Sequence, residues 1–322
     1  MNSVKKLLKP FQRSYNAVTS IMVTWNFRKL AKNMAILAVL IGLAGGYLWY
    51  SRLYLTNERR FWMAIENSMA TQSVTRTLIS GGSGNKVTQT QQFFFSPQMA
   101  SRSHVSFIQK NATVDTAVET EGISFPGEQY SRYNVFRTNQ KKPDGSSPSL
   151  EGILGKWEGT KVDESESEQA RLNYISELVT LAVFGNYDAA FRREVISELQ
   201  SNDTFRVLSD NISTQDVDGR ELLVVPVRVS LRNYVTILQR AFVEAGYGEF
   251  DALNPENYQE QSAINAKFLV EPKNNTIVGI EFGSRQESYS GYGIQMEVTA
   301  PQTDFNSGQL EQIVQEEIGS VF

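Results

Sequence analysis

The sequence predicts an α+β protein in which an N-terminal transmembrane helix precedes antiparallel strands and helices. Three observations lead to this prediction. Residues 34–50 are seventeen residues without a charge, and they follow a tail whose charged residues are all basic. From about residue 75, short segments alternate polar and apolar side chains with the period of two that is typical of strands. Other segments place apolar residues at helical spacing.

Composition narrows the class of protein. Hydrophobic residues make up 41% of the 322 residues and charged residues 20%, which is typical of a globular chain. The absence of cysteine excludes disulfides, thiolate catalysis, zinc–sulfur sites and a lipidated cysteine. Because secreted animal domains of this size usually carry disulfides, a bacterial envelope protein is favoured.

Charge is distributed unevenly along the chain. The whole chain has a net charge of −4, and seven basic residues and no acidic ones lie before Met34. The remainder of the chain therefore has a net charge of −11. A domain this acidic repels phosphates, so we expect no nucleic acid as a partner. No cofactor or metal motif occurs, and we expect no cofactor.

Residues 34–54 are predicted to cross a membrane. The uncharged run alone spans about 26 Å as a helix, the short end of the required length. The basic residues place residues 1–33 in the cytoplasm as a tail, and residues 57–322 form an extracytoplasmic domain. Membrane lipid is then a partner. The predicted anchor residues are Met34, Leu37, Leu40, Leu43, Trp49 and Tyr50, the last two in an aromatic belt.

Other interpretations of the N-terminus remain open. A cleaved signal peptide is one, although its basic region would be unusually long and no small-x-small cleavage site precedes Asn57. A buried helix of a soluble protein is another. In the tail, Phe11, Tyr15, Val18, Met22 and Trp25 recur at helical spacing, so the tail is either an interfacial helix or a loosely ordered basic segment.

The first half of the domain reads as one helix and five strands. The helix begins near Glu58, with Asn57 as its cap. The strand segments are 75–80, 86–95, 103–108, 113–120 and 130–137, and their spacing of roughly ten residues predicts an antiparallel meander. Residues 139–152, with two prolines, form a surface loop.

The second half mixes helices and strands. Apolar residues between Leu172 and Phe184 predict a helix that is buried on two sides, and Gly185 separates it from a second helix. Strands are predicted at 212–215 and 221–230, followed by a helix through Val235 and Phe242. Three closing strands are predicted at 267–271, 276–283 and 291–299, and a short helix at 309–318 ends the chain.

This order of elements resembles the bacterial lipoprotein carriers and mycobacterial lipid-binding lipoproteins. The stretches that carry the resemblance are GRELLVVPVRVS at 219–230, the helix after it, and AKFLVEPKNNTIVGIEF at 266–282. The resemblance implies a half-barrel, a curved antiparallel sheet whose concave face is covered by helices over an apolar cavity. Members are usually cleaved or lipidated at a cysteine, and this chain has neither feature.

Candidate ligand residues follow from that implied cavity. They are Phe93, Phe95, Val105, Phe107, Tyr133, Val179, Val183, Phe242, Phe268, Phe282 and Tyr292. In a packed domain the same residues are simply core. His104, the only histidine, and the alternating Asp115, Glu119 and Glu121 fit a solvated strand face better than a catalytic or cation site.

Two functions remain open from the sequence. The first is a membrane-anchored extracytoplasmic module that binds a lipid or other amphiphile in an apolar cavity. The second is a non-enzymatic structural or interaction protein of the envelope, with envelope proteins as partners and the same fold around a filled core. No HExxH, GxSxG, P-loop or Rossmann fingerprint occurs, so an enzyme is not expected.

Overall fold

A computed structural model describes residues 32, 35–46, 56–82, 84–161, 179–201, 203–248, 250 and 253–318. By its internal contacts the chain divides into two compact units, Met1–Thr56 and Asn57–Phe322. Within the second unit the structure is α+β, with a large curved sheet and helices.

The predicted transmembrane helix is wrong. In the first unit residues 35–46 are helical, about 18 Å of helix, and among the described residues no helix has the length and hydropathy needed to span a membrane. Leu37, Leu40 and Leu43 lie on this helical stretch with more than half of each side chain exposed. Met34, Trp49 and Tyr50 lie outside the described residues, as does the apolar stripe of the tail.

The second unit opens with helix α1, Asn57–Ser68, which buries Phe61, Ala64 and Ile65 at helical spacing. Five long antiparallel strands follow as a meander. Their bounds are β1 Ser73–Gly82, β2 Asn85–Phe94, β3 Ala100–Lys110, β4 Asp115–Phe125 and β5 Glu128–Thr138. The turn between β1 and β2 requires Gly81, because a Cβ there would lie 2.1 Å from the carbonyl oxygen of Asn85.

The later elements alternate between helices and strands. The strands are β6 Glu158–Lys161, β7 Phe205–Val207, β8 Ser213–Val217, β9 Arg220–Ser230, β10 Ala263–Glu271, β11 Thr276–Phe282, β12 Arg285–Ser290 and β13 Phe305–Asn306. The helices are α2 Ala189–Ser201, α3 Leu231–Glu244 and α4 Gln309–Ile318.

All thirteen strands belong to one sheet. Its order is β13-β6-β5-β4-β3-β2-β1-β12-β11-β10-β9-β7, and β8 also pairs with β9. The pairing of β1 with β12 joins the early meander to the late strands. Pro226 lies in β9 opposite Lys267 and makes no ladder donation, while its carbonyl accepts a bond from the Leu208 nitrogen.

The largest hydrophobic core lies between the sheet and helices α1, α2 and α3. It buries Phe268, Ile277 and Ile280 completely, together with side chains of all three helices. We call the side of the sheet that carries Phe268 the covered face and the other side the opposite face. A second cluster, around Phe94 and Ile123, lies on the opposite face, and a third surrounds Leu150 and Leu310.

Two predicted elements differ from the structure. The last strand is Arg285–Ser290, whereas residues 291–299 form no strand, because Gly291 and Gly293 adopt φ of +64° and +69° and turn the backbone away from the sheet. Residues 179–184 are irregular where the first helix of a helical hairpin is predicted, and residues 172–178 of that helix lie outside the described residues. Its predicted partner helix is α2.

Candidate functional site

The register of the sheet places most of the predicted aromatic residues on one face. Residues that pair directly across an antiparallel ladder share a face. One continuous row runs across eight strands, and it lies on the covered face. It consists of Val225, Phe268, Ile280, Glu287, Leu78, Gln89, Val105 and Thr120, and it continues to Tyr133 in β5.

The candidate cavity residues fall into three environments. Phe93, Val183, Phe242 and Phe268 are buried in the main core, and Phe95, Val179, Phe282 and Tyr292 are half-buried against it. Tyr133 belongs to the third cluster, beside α4. Val105 and Phe107 are half-buried and belong to none of the three clusters. The structure therefore does not gather the eleven residues around one cavity.

A polar cluster is buried within the covered face where β12 meets β1. The carboxylate of Glu287, whose side chain is fully buried, accepts hydrogen bonds at Oε2 from the hydroxyls of Thr180 (2.7 Å) and Tyr289. The hydroxyl of Tyr234 in α3 donates to the Thr180 carbonyl oxygen at 2.7 Å. Burial, and then the neighbouring carboxylate, hold the pKa of the Tyr289 hydroxyl far above its usual value, so this hydroxyl stays protonated and can donate.

The other oxygen of this carboxylate contacts an arginine at the surface. Arg285 Nε lies 2.6 Å from Glu287 Oε1, and the Arg285 side chain is 43% exposed. Its guanidinium also lies over the ring of Phe282, with its central carbon 5.6 Å from the ring centre. A buried acid is therefore ion-paired, without a hydrogen bond, to an arginine that is partly exposed.

Arg285 forms one wall of a groove of about 450 Å³. The groove is formed by β1, β2 and the beginning of β12, with Ser284 just before it. Its lining residues are Arg76, Leu78, Ile79, Ser80, Val87, Gln89, Ser284, Arg285 and Gln286. The apolar part of the wall continues onto β3, because Val87 pairs with Phe107 and Gln89 pairs with Val105.

A second arginine, Arg76, lines the groove and is buried. Arg76 is 3% exposed, its Nη2 donates to Gln91 Oε1, and its guanidinium carbon lies 5.6 Å from the centre of the Phe93 ring. Gln91 is completely buried. The lining therefore combines two arginines, Arg76 and Arg285, with the apolar side chains of Leu78, Ile79 and Val87. A site for an amphiphile needs both kinds of group.

On the opposite face Glu121 is bound by two arginines. Its Oε1 accepts from Arg102 (2.7 Å) and its Oε2 from Arg132 (2.5 Å), and Arg132 lies over the ring of Trp157. Burial raises the pKa of this carboxyl, but the hydrogen bonds from Arg132 and Arg102 outweigh it and lower the pKa to about 2.

The remaining polar candidates from the sequence share this opposite face. His104 pairs with Glu121 across the β3–β4 ladder and is exposed. Asp115 lies 3.6 Å from Arg137, so it is engaged in an ion pair at the surface. Within the described part of the chain, no three His, Cys, Asp or Glu side chains are close enough to hold a metal ion.

Sequence reasoning missed the residues that form the groove. Arg285 and Glu287 lie in β12, a segment that was assigned to the connection between two predicted strands. The alternation in RQESYS, with Glu287 and Tyr289 buried and their neighbours exposed, was the available signal. That signal is weak, because the buried members of the pattern are polar.

Comparisons with known proteins are sparse. No protein-family model matches the sequence, and no curated protein matches it. Among solved structures, the chain is similar to the crystal structure of LprF from Mycobacterium bovis, with a TM-score of 0.37 and 9% sequence identity over 76% of this chain and 95% of that one. At that TM-score the likeness carries no conclusion about this chain, and the resemblance stated from the sequence stays a resemblance.

Proposed function

We propose that the unit Asn57–Phe322 is a non-enzymatic extracytoplasmic module that binds an amphiphile along the covered face of its sheet. The observation that carries this proposal is the groove of about 450 Å³ that borders half-buried apolar residues of β2 and β3. Small-molecule sites have volumes of roughly 300–1,000 Å³ and combine apolar walls with a few polar groups. Three of the nine residues that line this groove are apolar, and the apolar surface continues onto β3 through Phe107 and Val105.

The proposed site lies beside the main core and not inside it. Three residues that the sequence suggested as cavity walls belong to the main core. They are Val183, Phe242 and Phe268, and they are 2%, 4% and 0% exposed. Val105 and Phe107 continue the same face without joining that cluster. An acyl chain that lay along them would bury apolar surface that the fold leaves partly open, at about 25 cal/mol for each Å².

A second function is favoured by the core itself. Helices α1, α2 and α3 cover the sheet with interlocked aromatic rings, such as Phe61 against Phe268 at 5.3 Å and Phe205 against Tyr234 at 5.5 Å. A core filled in this way needs no ligand to be stable. The alternative is therefore a structural or interaction protein of the envelope.

Ligand binding by paired variants separates the two functions. Phe107→Ala removes an apolar wall of the proposed site, whereas Ile108→Ala is the matched control, because Ile108 is the next residue, faces the other side and is 44% exposed. With a neutral single-chain amphiphile, dodecyl maltoside below its micelle concentration, we expect Phe107→Ala to weaken binding several-fold and Ile108→Ala to leave it unchanged. Absence of binding, or equal effects of both variants, would favour the structural protein.

The extracytoplasmic location is tested separately. The resemblance to envelope carriers supports it, and the chain has no cysteine of its own, so an introduced one is unique. Asn274 lies in the turn between β10 and β11, and its replacement by cysteine gives an accessible label site. We expect labelling by an impermeant maleimide in intact cells. Labelling only after permeabilisation would contradict an extracytoplasmic domain.

A further inference from the structure

We infer that the groove selects amphiphiles whose head group is a carboxylate or phosphate, and that Arg285 binds that group. The inference rests on the proposed function and names the ligand class of the same site. It follows from the orientation of one guanidinium, from the charges around it and from its distance along the sheet to the apolar wall.

Arg285 is oriented before any ligand arrives. Its Nε lies 2.6 Å from the fully buried carboxylate of Glu287 as an ion pair, and that carboxylate is itself held by hydrogen bonds from Thr180 and Tyr289. Among the residues that the structure describes, the two terminal nitrogens of Arg285 have no hydrogen-bonding or ionic partner. Such an arginine binds an oxyanion without first losing side-chain freedom.

The guanidinium has the geometry that anionic oxygen groups require. Its planar fork donates two parallel N–H bonds to a carboxylate or phosphate, and such bonds are about twice as strong as neutral ones. Arg285 is held to Glu287 by an ion pair at Nε, so Nη1 and Nη2 remain to donate to the ligand. Phe282 beneath the guanidinium keeps its plane in place. Glu287 is accordingly a positioning residue, and Arg285 contacts the head group.

The charges that line the groove favour an anion. Arg76 and Arg285 are its charged lining residues, and the carboxylate of Glu287 forms an ion pair with Arg285. The local excess is one positive charge, in a chain whose domain is acidic overall. Leu78 and Val87 lie between this charge and Phe107 on the same face. A charged head at Arg285 therefore directs an attached chain along the apolar side chains.

The test compares two amphiphiles that have the same dodecyl chain and different head groups, with inorganic phosphate as a head group that has no chain. Dodecyl phosphate, dodecyl maltoside and inorganic phosphate are titrated into the full-length protein at low ionic strength, below micelle concentrations. We expect dodecyl phosphate to bind about ten-fold more tightly than dodecyl maltoside, the difference made by charged hydrogen bonds. Arg285→Gln should remove that preference and leave the affinity for dodecyl maltoside unchanged. Arg228→Gln, an exposed arginine of β9 on the opposite face, should preserve it.

The role of Glu287 has its own readout. Glu287→Gln keeps the shape of the side chain but loosens the hold on Arg285, so it should reduce the preference for phosphate by a smaller factor than Arg285→Gln does. Arg285→Lys should restore the charge without the fork and recover only part of the preference.

Each remaining outcome is decisive. A preference for dodecyl phosphate that survives Arg285→Gln, or equal binding of both amphiphiles by the unaltered protein, overturns the inference and leaves the proposed function standing. Inorganic phosphate that binds as tightly as dodecyl phosphate also overturns it, in favour of a site for free anions. If neither amphiphile binds, the proposed function itself is refuted, and the inference about the head group is refuted with it.

Discussion

The ion pairs of Glu121 give the sharpest test of how this fold is stabilised. The carboxylate accepts four hydrogen bonds from two arginines, at 2.9 and 2.7 Å from Arg102 and at 3.0 and 2.5 Å from Arg132. The three residues lie on neighbouring strands β3, β4 and β5 of the opposite face. Glu121→Gln removes the charge, preserves the shape, and leaves two guanidinium groups facing each other.

The magnitude follows from the pKa. Burial raises the pKa of Glu121, but the hydrogen bonds from Arg132 and Arg102 outweigh it and lower the pKa from 4.5 to about 2. At about 1.4 kcal/mol for each pH unit, this difference is worth on the order of 3 kcal/mol. Because Arg102 is 48% exposed and solvent screens its charge, we expect about 1–2 kcal/mol in the free energy of unfolding.

Urea unfolding of the full chain between pH 3 and pH 7 measures this contribution. Since the folded pKa lies below the unfolded one, the stabilisation is complete above about pH 4.5 and is lost as the pH falls towards 2. The difference between the unaltered chain and Glu121→Gln should therefore be constant near neutral pH and shrink in acid. Glu119→Gln, two residues earlier on the same face, is the control, and we expect it to change little.

One outcome refutes this reasoning. If Glu121→Gln is as stable as the unaltered chain at pH 7, or if the difference grows as the pH falls, the two arginines do not stabilise the ionised carboxylate. If Glu121→Gln and Glu119→Gln lower the free energy of unfolding equally, the charge of Glu121 acts through long-range electrostatics and not through its hydrogen bonds to the two arginines.

Three further predictions concern packing and backbone. Val183→Ala should lower the free energy of unfolding by about 1–3 kcal/mol in urea titrations, because the residue is 2% exposed in the main core; an unchanged value would indicate relaxed space around it. Gly291→Ala should destabilise more than Gly293→Ala, since both have positive φ but only at Gly291 would a Cβ meet a side-chain oxygen of β1, at 2.8 Å; equal losses would count against that contact. A chain that begins at Asn57 should be soluble, of monomer size by gel filtration and cooperative in unfolding, because Asn57–Phe322 forms its own compact unit; dependence on detergent would contradict this.

The sequence determined the elements that local pattern specifies. The five early strands were predicted at segments that lie within or overlap β1 to β5, because alternation at period two survives in any half-buried strand. The predicted helices through Val235 and at 309–318 are α3 and α4, whose apolar residues keep helical spacing. The alternation places Val105 and Phe107 on one face of their strand, and the register adds Phe93 of β2 to that face.

Local pattern failed where the backbone or the burial was unusual. The alternation of Tyr292, Ile294, Met296 and Val298 predicted a strand, but the two positive-φ glycines in that segment prevent it, and Ile294 and Met296 are exposed. Strand β12 was not predicted, because the residues that it buries, Glu287 and Tyr289, are polar and give no apolar alternation. The predicted domain boundaries and cavity residues remain predictions.

Only the tertiary structure decided which parts of the covered face of the sheet are buried by helices. The register of the strands places Phe268 and Phe107 on the same side of the sheet, and the placement of the helices buries the first and leaves the second partly open. Thr180 and Glu287 are 107 positions apart and meet because β12 lies beside β1 while residues 179–184 fold against it. A sequence pattern reports each residue's own strand or helix, and contacts across such separations depend on how the elements assemble.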